Sequence, residues 1–239
     1  MDEEKNEIAC LLQEYDDLFY SQSIRDLRDK YPRYVALYTP VLETPDFAIV
    51  GTNPSWFIGR RPADDDEEEE ESLRTDSLKG VHNINSYTQY REPRYHERVR
   101  SFFQVYIEKA DTDYDSGRVD EFINKNVMGW NSQFIQTGSS GFKRLEKFCK
   151  QKKDFHKLFL RANEVADEIT TLVKPKVIIH FGAPSRDVSG AYEGKKVKKR
   201  EEFGSRVFFH HPSQGYSNEE REKDIRLLIE LLQKDSSKP

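Results

Sequence analysis

Apolar positions in the first thirty residues recur at Ile8, Leu11, Leu12, Leu18, Phe19, Ile24 and Leu27. Such spacing turns one face of a helix toward a core, so one or two amphipathic helices are predicted over residues 3–30. The pattern then changes. After the proline-bearing stretch YPRYVALYTPVLETP, residues 47–50 (FAIV) are apolar without interruption and lie between Pro45 and Gly51. Short unbroken runs between breakers read as strands buried on both faces. KVIIHFG at 176–182 and SRVFFHH at 205–211 are two more, and NVMGWNSQFI at 126–135 is a fourth candidate. Helical spacing returns at 95–109, at 139–151 behind Ser139 and Ser140, and at 156–173, where Pro175 stops it. A closing helix is predicted over 217–234, with Ser217 and Glu220 forming a capping box.

Strands apolar on both faces that alternate with helices predict an α/β fold. The expected form is a three-layer α/β/α sandwich on a short, mostly parallel four-stranded sheet. Folds of this kind bind ligands outside the carboxyl ends of their strands. Two predicted strand ends stand out: Gly51-Thr52-Asn53-Pro54-Ser55, and His210-His211-Pro212-Ser213-Gln214-Gly215-Tyr216. Each alone reads as a turn, since Asn-Pro initiates turns and His-Pro-Ser can lead into a capped helix. The pair says more. An amide and an imidazole projecting from one sheet edge can position water and donate a hydrogen bond to a developing anion. Neither motif holds a carboxylate or thiol partner, which argues against a Ser-His-Asp or Cys-His nucleophile.

GTNPS followed by HHPSQGYS resembles the two signature motifs of the uracil-DNA glycosylase superfamily. The first is Gly-x-(Asp/Asn)-Pro at the end of the first strand. The second is His-Pro-Ser at the end of the last strand, before the final helix. GTNPSWFIG is similar to the Asn-type first motif of the mismatch-specific and single-strand-selective branches. The motifs stand about 160 residues apart, in the family's order, and the resemblance covers roughly residues 44–234, with only the motifs specific.

The resemblance implies a cofactor-free hydrolase of DNA. Asn53 would hold the attacking water, and a neutral His211 would donate N–H to O2 of the leaving base. Phe57 would stack on the base, with Trp56 as packing, and Gly51 and Ser55 would line its pocket. His210 points to the other strand face and reads as structural. Asn131 is the choice for the residue that reads the base edge, with Asn126 as runner-up. Tyr216 lies near the position of the family's wedge residue, although SQGYS departs from the usual SPLS. Ser213 and Gly215 would contact phosphate. Superfamily members in bacterial anti-phage defence remove enlarged bases such as glucosylated hydroxymethylcytosine, so either uracil or such a base is the expected substrate.

Charge adds a DNA side to this picture. The net charge of −5 is unevenly spread: residues 1–120 hold 15 Lys and Arg against 27 Asp and Glu, and residues 121–239 hold 23 against 16. EGKKVKKR at 193–200, with Lys195, Lys196, Lys198 and Lys199, can hold backbone phosphates without reading sequence, or can form a solvated hairpin. TGSSGF at 137–142 can take a phosphate on helix N–H groups or simply be capped by its serines. The acidic run DDDEEEEE at 64–71 sits in a long insertion, 58–94, which also holds Asn83, Tyr87, Gln89 and Arg91. Such a block repels itself and is expected to be mobile; the polar residues after it suit a roomy pocket wall.

The remaining composition mainly excludes. At 239 residues the chain suits one domain, 1–239, comprising the N-terminal helices and the insertion. No run of apolar residues is long enough for a membrane span. The acidic start MDEEKNEIAC lacks a signal core. Two cysteines, Cys10 and Cys149, cannot build a disulfide framework or a four-cysteine metal site, and a cytoplasmic setting is expected. A metal-dependent nucleotide hydrolase would need a carboxylate cluster or a Gly-rich phosphate loop, and the sequence presents neither. The remaining rival is a catalytically silent nucleic-acid binder on the same fold.

Overall fold

Side chains alternate faces along a strand, so an apolar run such as FAIVG can be satisfied only between two helical layers. The computed structural model describes residues 2–31, 34–37, 39, 41–51, 93–135, 137, 142–181, 198–200, 204–209 and 217–236. In it, strand β1 (Phe47–Gly51) runs between β2 (Val127–Asn131) and β3 (Val177–Phe181), parallel to both. Strand β5 (Gly204–Phe209) continues the parallel array beside β3. Strand β4 (Lys198–Arg200) pairs antiparallel on the outside of β5, so the order is β2-β1-β3-β5-β4. The expected four parallel strands are therefore joined by a fifth, short edge strand from the basic KKR segment.

Each sheet face has its own core. Ala48, Val50, Met128, Trp130 and Ile178 pack against α1 (Asp2–Phe19), α2 (Arg25–Lys30), α5 (Phe142–Cys149) and α6 (Lys153–Val173). Phe47, Ile49, Val177, Ile179, Val207 and Phe209 pack against α3 (Pro93–Lys109), α4 (Val119–Asn126) and α7 (Asn218–Ser236). The result is three layers. The second core is strongly aromatic: Phe102 meets Phe181 at 5.3 Å and Phe209 at 5.7 Å between ring centroids, and Phe47 meets Phe103 at 5.4 Å.

Local chemistry explains several boundaries. The capping box at the start of α7 is formed reciprocally: Glu220 N–H donates to Ser217 Oγ and Ser217 N–H donates to Glu220 Oε2, both at 3.2 Å. Helix α6 ends on Lys174 in the left-handed region, φ 49° and ψ 54°, with its N–H bonded to Thr170 O at 3.1 Å. Two corrections concern the second strand. Strand β2 spans Val127–Asn131 rather than 126–135, and it is preceded by α4, which the sequence pattern left unassigned. Helix α4 has just two turns, with Val119, Phe122 and Ile123 as its buried residues, too few to set a period.

The stretch that reads as irregular has a defined task. Residues 34–37 and 39 lie along the outer edge of β2 as a strap, with antiparallel bridges Tyr34 to Ile135 and Leu37 to Trp130. Gly129 N–H donates to Thr39 Oγ1 at 2.7 Å and Asn131 N–H to Ala36 O at 2.8 Å. From β1 the chain reaches β2 through α3 and α4 on one face, then returns past β1 to β3 through α5 and α6 on the other. That reversal puts the topological switch point between β1 and β3. Among the described residues, no helix is long and apolar enough to cross a membrane.

Candidate functional site

Register decides which strand ends meet. Gly51 pairs with Asn131 across β1 and β2, and Phe181 with Phe209 across β3 and β5. Strands β1 and β3 run from Phe47 opposite Val177 to Ile49 opposite Ile179. Carried two residues further, that register puts Gly51 level with Phe181. The four parallel strands thus finish at one level of one edge, with Gly51 and Phe209 two strands apart, or ~10 Å at ordinary strand spacing.

Asn53 and His211 each follow two residues after these ends. Both lie outside the described residues, as do Ser55, Phe57, Ser213, Gly215, Tyr216, Lys195, Lys196 and most of the 58–94 insertion. Lys198 and Lys199 belong to β4, one strand beyond β5. Gly51 and Asn131 are brought together at the edge. Asn126, the alternative to Asn131, is not: it closes α4 at the opposite end of β2, where its Nδ2 donates to Phe122 O at 2.9 Å. A side chain bonded to its own helix at the amino end of the strand cannot reach the carboxyl edge.

Asn131 is held by both its backbone N–H and its side-chain Nδ2. It is 5% exposed, its N–H donates to Ala36 O, and its Nδ2 donates to Val35 O at 3.0 Å. The next residue, Ser132, donates its N–H to Gly51 O at 2.8 Å, tying the ends of β1 and β2 together. Turning the amide over would point Oδ1 at the Val35 carbonyl, two acceptors face to face, so the amide has one orientation. Oδ1 then lies over Gly51, and a Cβ built on Gly51 would stand 2.6 Å from it. Glycine at 51 is required by this approach, which the sequence pattern does not reveal.

No protein-family model matches this chain, and no curated protein matches it.

Beneath the same edge lies a buried polar layer that the apolar pattern of the strands conceals. His180, in the apolar run VIIHF, and Arg206, in GSRVFF, are both buried. They alternate with the residues that face α3 and α7, so both belong to the α6 side of the sheet. Arg206 pairs with Asp167 of α6 at 3.7 Å. Burial, followed by the neighbouring Arg206 guanidinium, pushes the His180 imidazole down to about 3. Further along the edge, Gln133 Nε2 donates to Phe159 O and Asn163 Oδ1, both at 2.7 Å. Among the described residues, no group of three or more His, Cys, Asp or Glu is placed to hold a metal ion.

Gly51→Ala tests the contact between β1 and β2. A methyl group placed 2.6 Å from Oδ1 forces a pinned amide to move. The expected cost is about 1–3 kcal/mol of stability, as for other overpacked buried sites. The Asn131 side-chain amide resonances should shift with it. Parental denaturation midpoints and unmoved resonances would show that the two strand ends are not in contact.

Proposed function

We propose that this chain is a DNA glycosylase of the uracil-DNA glycosylase type. It hydrolyses the N-glycosidic bond of a pyrimidine turned out of the DNA stack and leaves an abasic site. The observation that carries this reading is the common level of the strand ends: GTNPS and HHPSQ start from the same carboxyl edge, and Asn131 stands beside the first of them.

The chemistry assigned to that edge balances without a cofactor. The C1′–N bond breaks and its electron pair leaves with the base. His211, neutral, donates N–H to O2 of the departing anion, which then takes a proton from solvent. Asn53 holds a water whose oxygen bonds to C1′ and whose proton goes to solvent. Phe57 stacks on the extruded base. With Nδ2 engaged by Val35, Asn131 keeps Oδ1 as an acceptor, which suits N3–H of uracil or the exocyclic amine of a cytosine. The length of the segment after the first motif favours an enlarged cytosine, such as a glucosylated hydroxymethylcytosine of phage DNA.

The test is direct. DNAs containing uracil, a thymine mismatch, hydroxymethylcytosine or glucosylated hydroxymethylcytosine are incubated with the protein and cleaved with alkali. A break at the modified position of one substrate is expected. Binding to all of them without any break would leave a catalytically silent nucleic-acid binder instead.

A further inference from the structure

Asp16 of α1 is fully buried and accepts a hydrogen bond from Tyr34 Oη at 2.7 Å. Aromatic rings surround the pair: Tyr34 meets Tyr15 and Phe19 edge-on, each at 5.1 Å, and Tyr15 meets Phe134 at 4.8 Å. A phenylalanine at 34 would fill nearly the same space but take this hydrogen bond from the buried carboxylate. What the polar pair supplies, and an apolar one does not, is a direction. Tyr34 is also the first residue of the strap. Immediately after it, Val35 N–H donates to Phe134 O at 2.7 Å, Val35 O accepts Asn131 Nδ2, and Ala36 O accepts Asn131 N–H. Backbone and side chain of Asn131 are thus both set by the two residues that Tyr34 anchors to α1.

We infer that α1 is a positioning element for the base-reading amide: the Tyr34–Asp16 hydrogen bond fixes the strap, and the strap fixes Asn131. This rests on the role of Asn131 in the proposed glycosylase. Tyr34 and Asp16 are positioning residues that act through Asn131. The N-terminal helices, which lie outside the stretch resembling the glycosylase superfamily, thereby become part of its selectivity.

Tyr34→Phe removes one oxygen atom and little else. Asp16→Asn keeps an acceptor oxygen for Tyr34 and serves as the conservative control. Amide hydrogen exchange is measured at Val35, Asn131 and the centres of β1 and β3, together with the Asn131 side-chain resonances. Single-turnover base release is compared on the best and next-best substrates. In Tyr34→Phe, exchange at Val35 and Asn131 should speed up by about 10-fold or more, the order expected from losing one hydrogen bond to a charged group, with β1 and β3 unchanged. Selectivity between the two bases should fall by a similar factor, and Asp16→Asn, which keeps the hydrogen bond without its charge, should lie between the parent and Tyr34→Phe. Parental exchange and resonances in Tyr34→Phe would overturn the inference, and so would an equal loss of protection across the whole sheet. If the parent releases no base from any DNA, the proposed function falls, and the exchange data still decide whether Tyr34 holds Asn131.

Discussion

Replacing Asn53 or His211 with alanine should slow single-turnover base release by ~10²–10³, the usual loss for one donor or positioning group that acts in the transition state. DNA affinity should stay near parental, because neither group is assigned a phosphate contact. The measurement uses enzyme in excess over DNA, on whichever base the parent releases. The two variants differ in what their pH profiles report. His211 is assigned a neutral donor role, so parental activity should persist well above pH 7. A decline through ~6.5 as pH rises would instead require an imidazolium there. Near-parental rates in both variants, with folding intact, would reduce GTNPS to an ordinary strand corner.

The second large effect concerns stability in acid. His180 is pushed down to about 3 in the folded protein, below the ordinary imidazole value of ~6.5 that applies when unfolded. Between these values the unfolded chain holds a proton that the native protein refuses. Stability is therefore fully present above ~6.5, and is lost as pH falls toward 3. One proton corresponds to at most ~1.4 kcal/mol per pH unit. Denaturant unfolding at several pH values between 7 and 4 should show a shallower slope for His180→Gln than for the parent. Equal slopes would mean that carboxylates alone govern the acid limb.

Much of the fold is legible because it is written locally. FAIV and VIIHF are unbroken apolar runs, and Ser217 with Glu220 carries its own helix start. What stays hidden depends on partners distant in sequence. Val35 and Ala36 reveal nothing until Asn131, almost a hundred residues later, is placed beside them. Gly51 looks like a breaker and proves to be the floor under an amide. Val119–Asn126 is too short to show a period, so Asn126 resembles a strand residue until its helix is seen. His180 and Arg206 are single polar letters in apolar words, and pattern reading discounts them. As for the candidate site, the sequence pattern could propose its strand ends, and register was needed to bring those ends to one level.

The strap has a consequence for how the sheet meets other chains. Residues 34–37 and 39 occupy the outer hydrogen-bonding positions at the end of β2, so an incoming strand finds that rim already taken. Among the described residues, the rim left open is that of β4, whose three residues are Lys198, Lys199 and Arg200. Two copies approaching rim to rim would bring these cation triplets together, and cross-chain sheet growth is opposed by their repulsion. A polyanion lying along the same rim meets the opposite force.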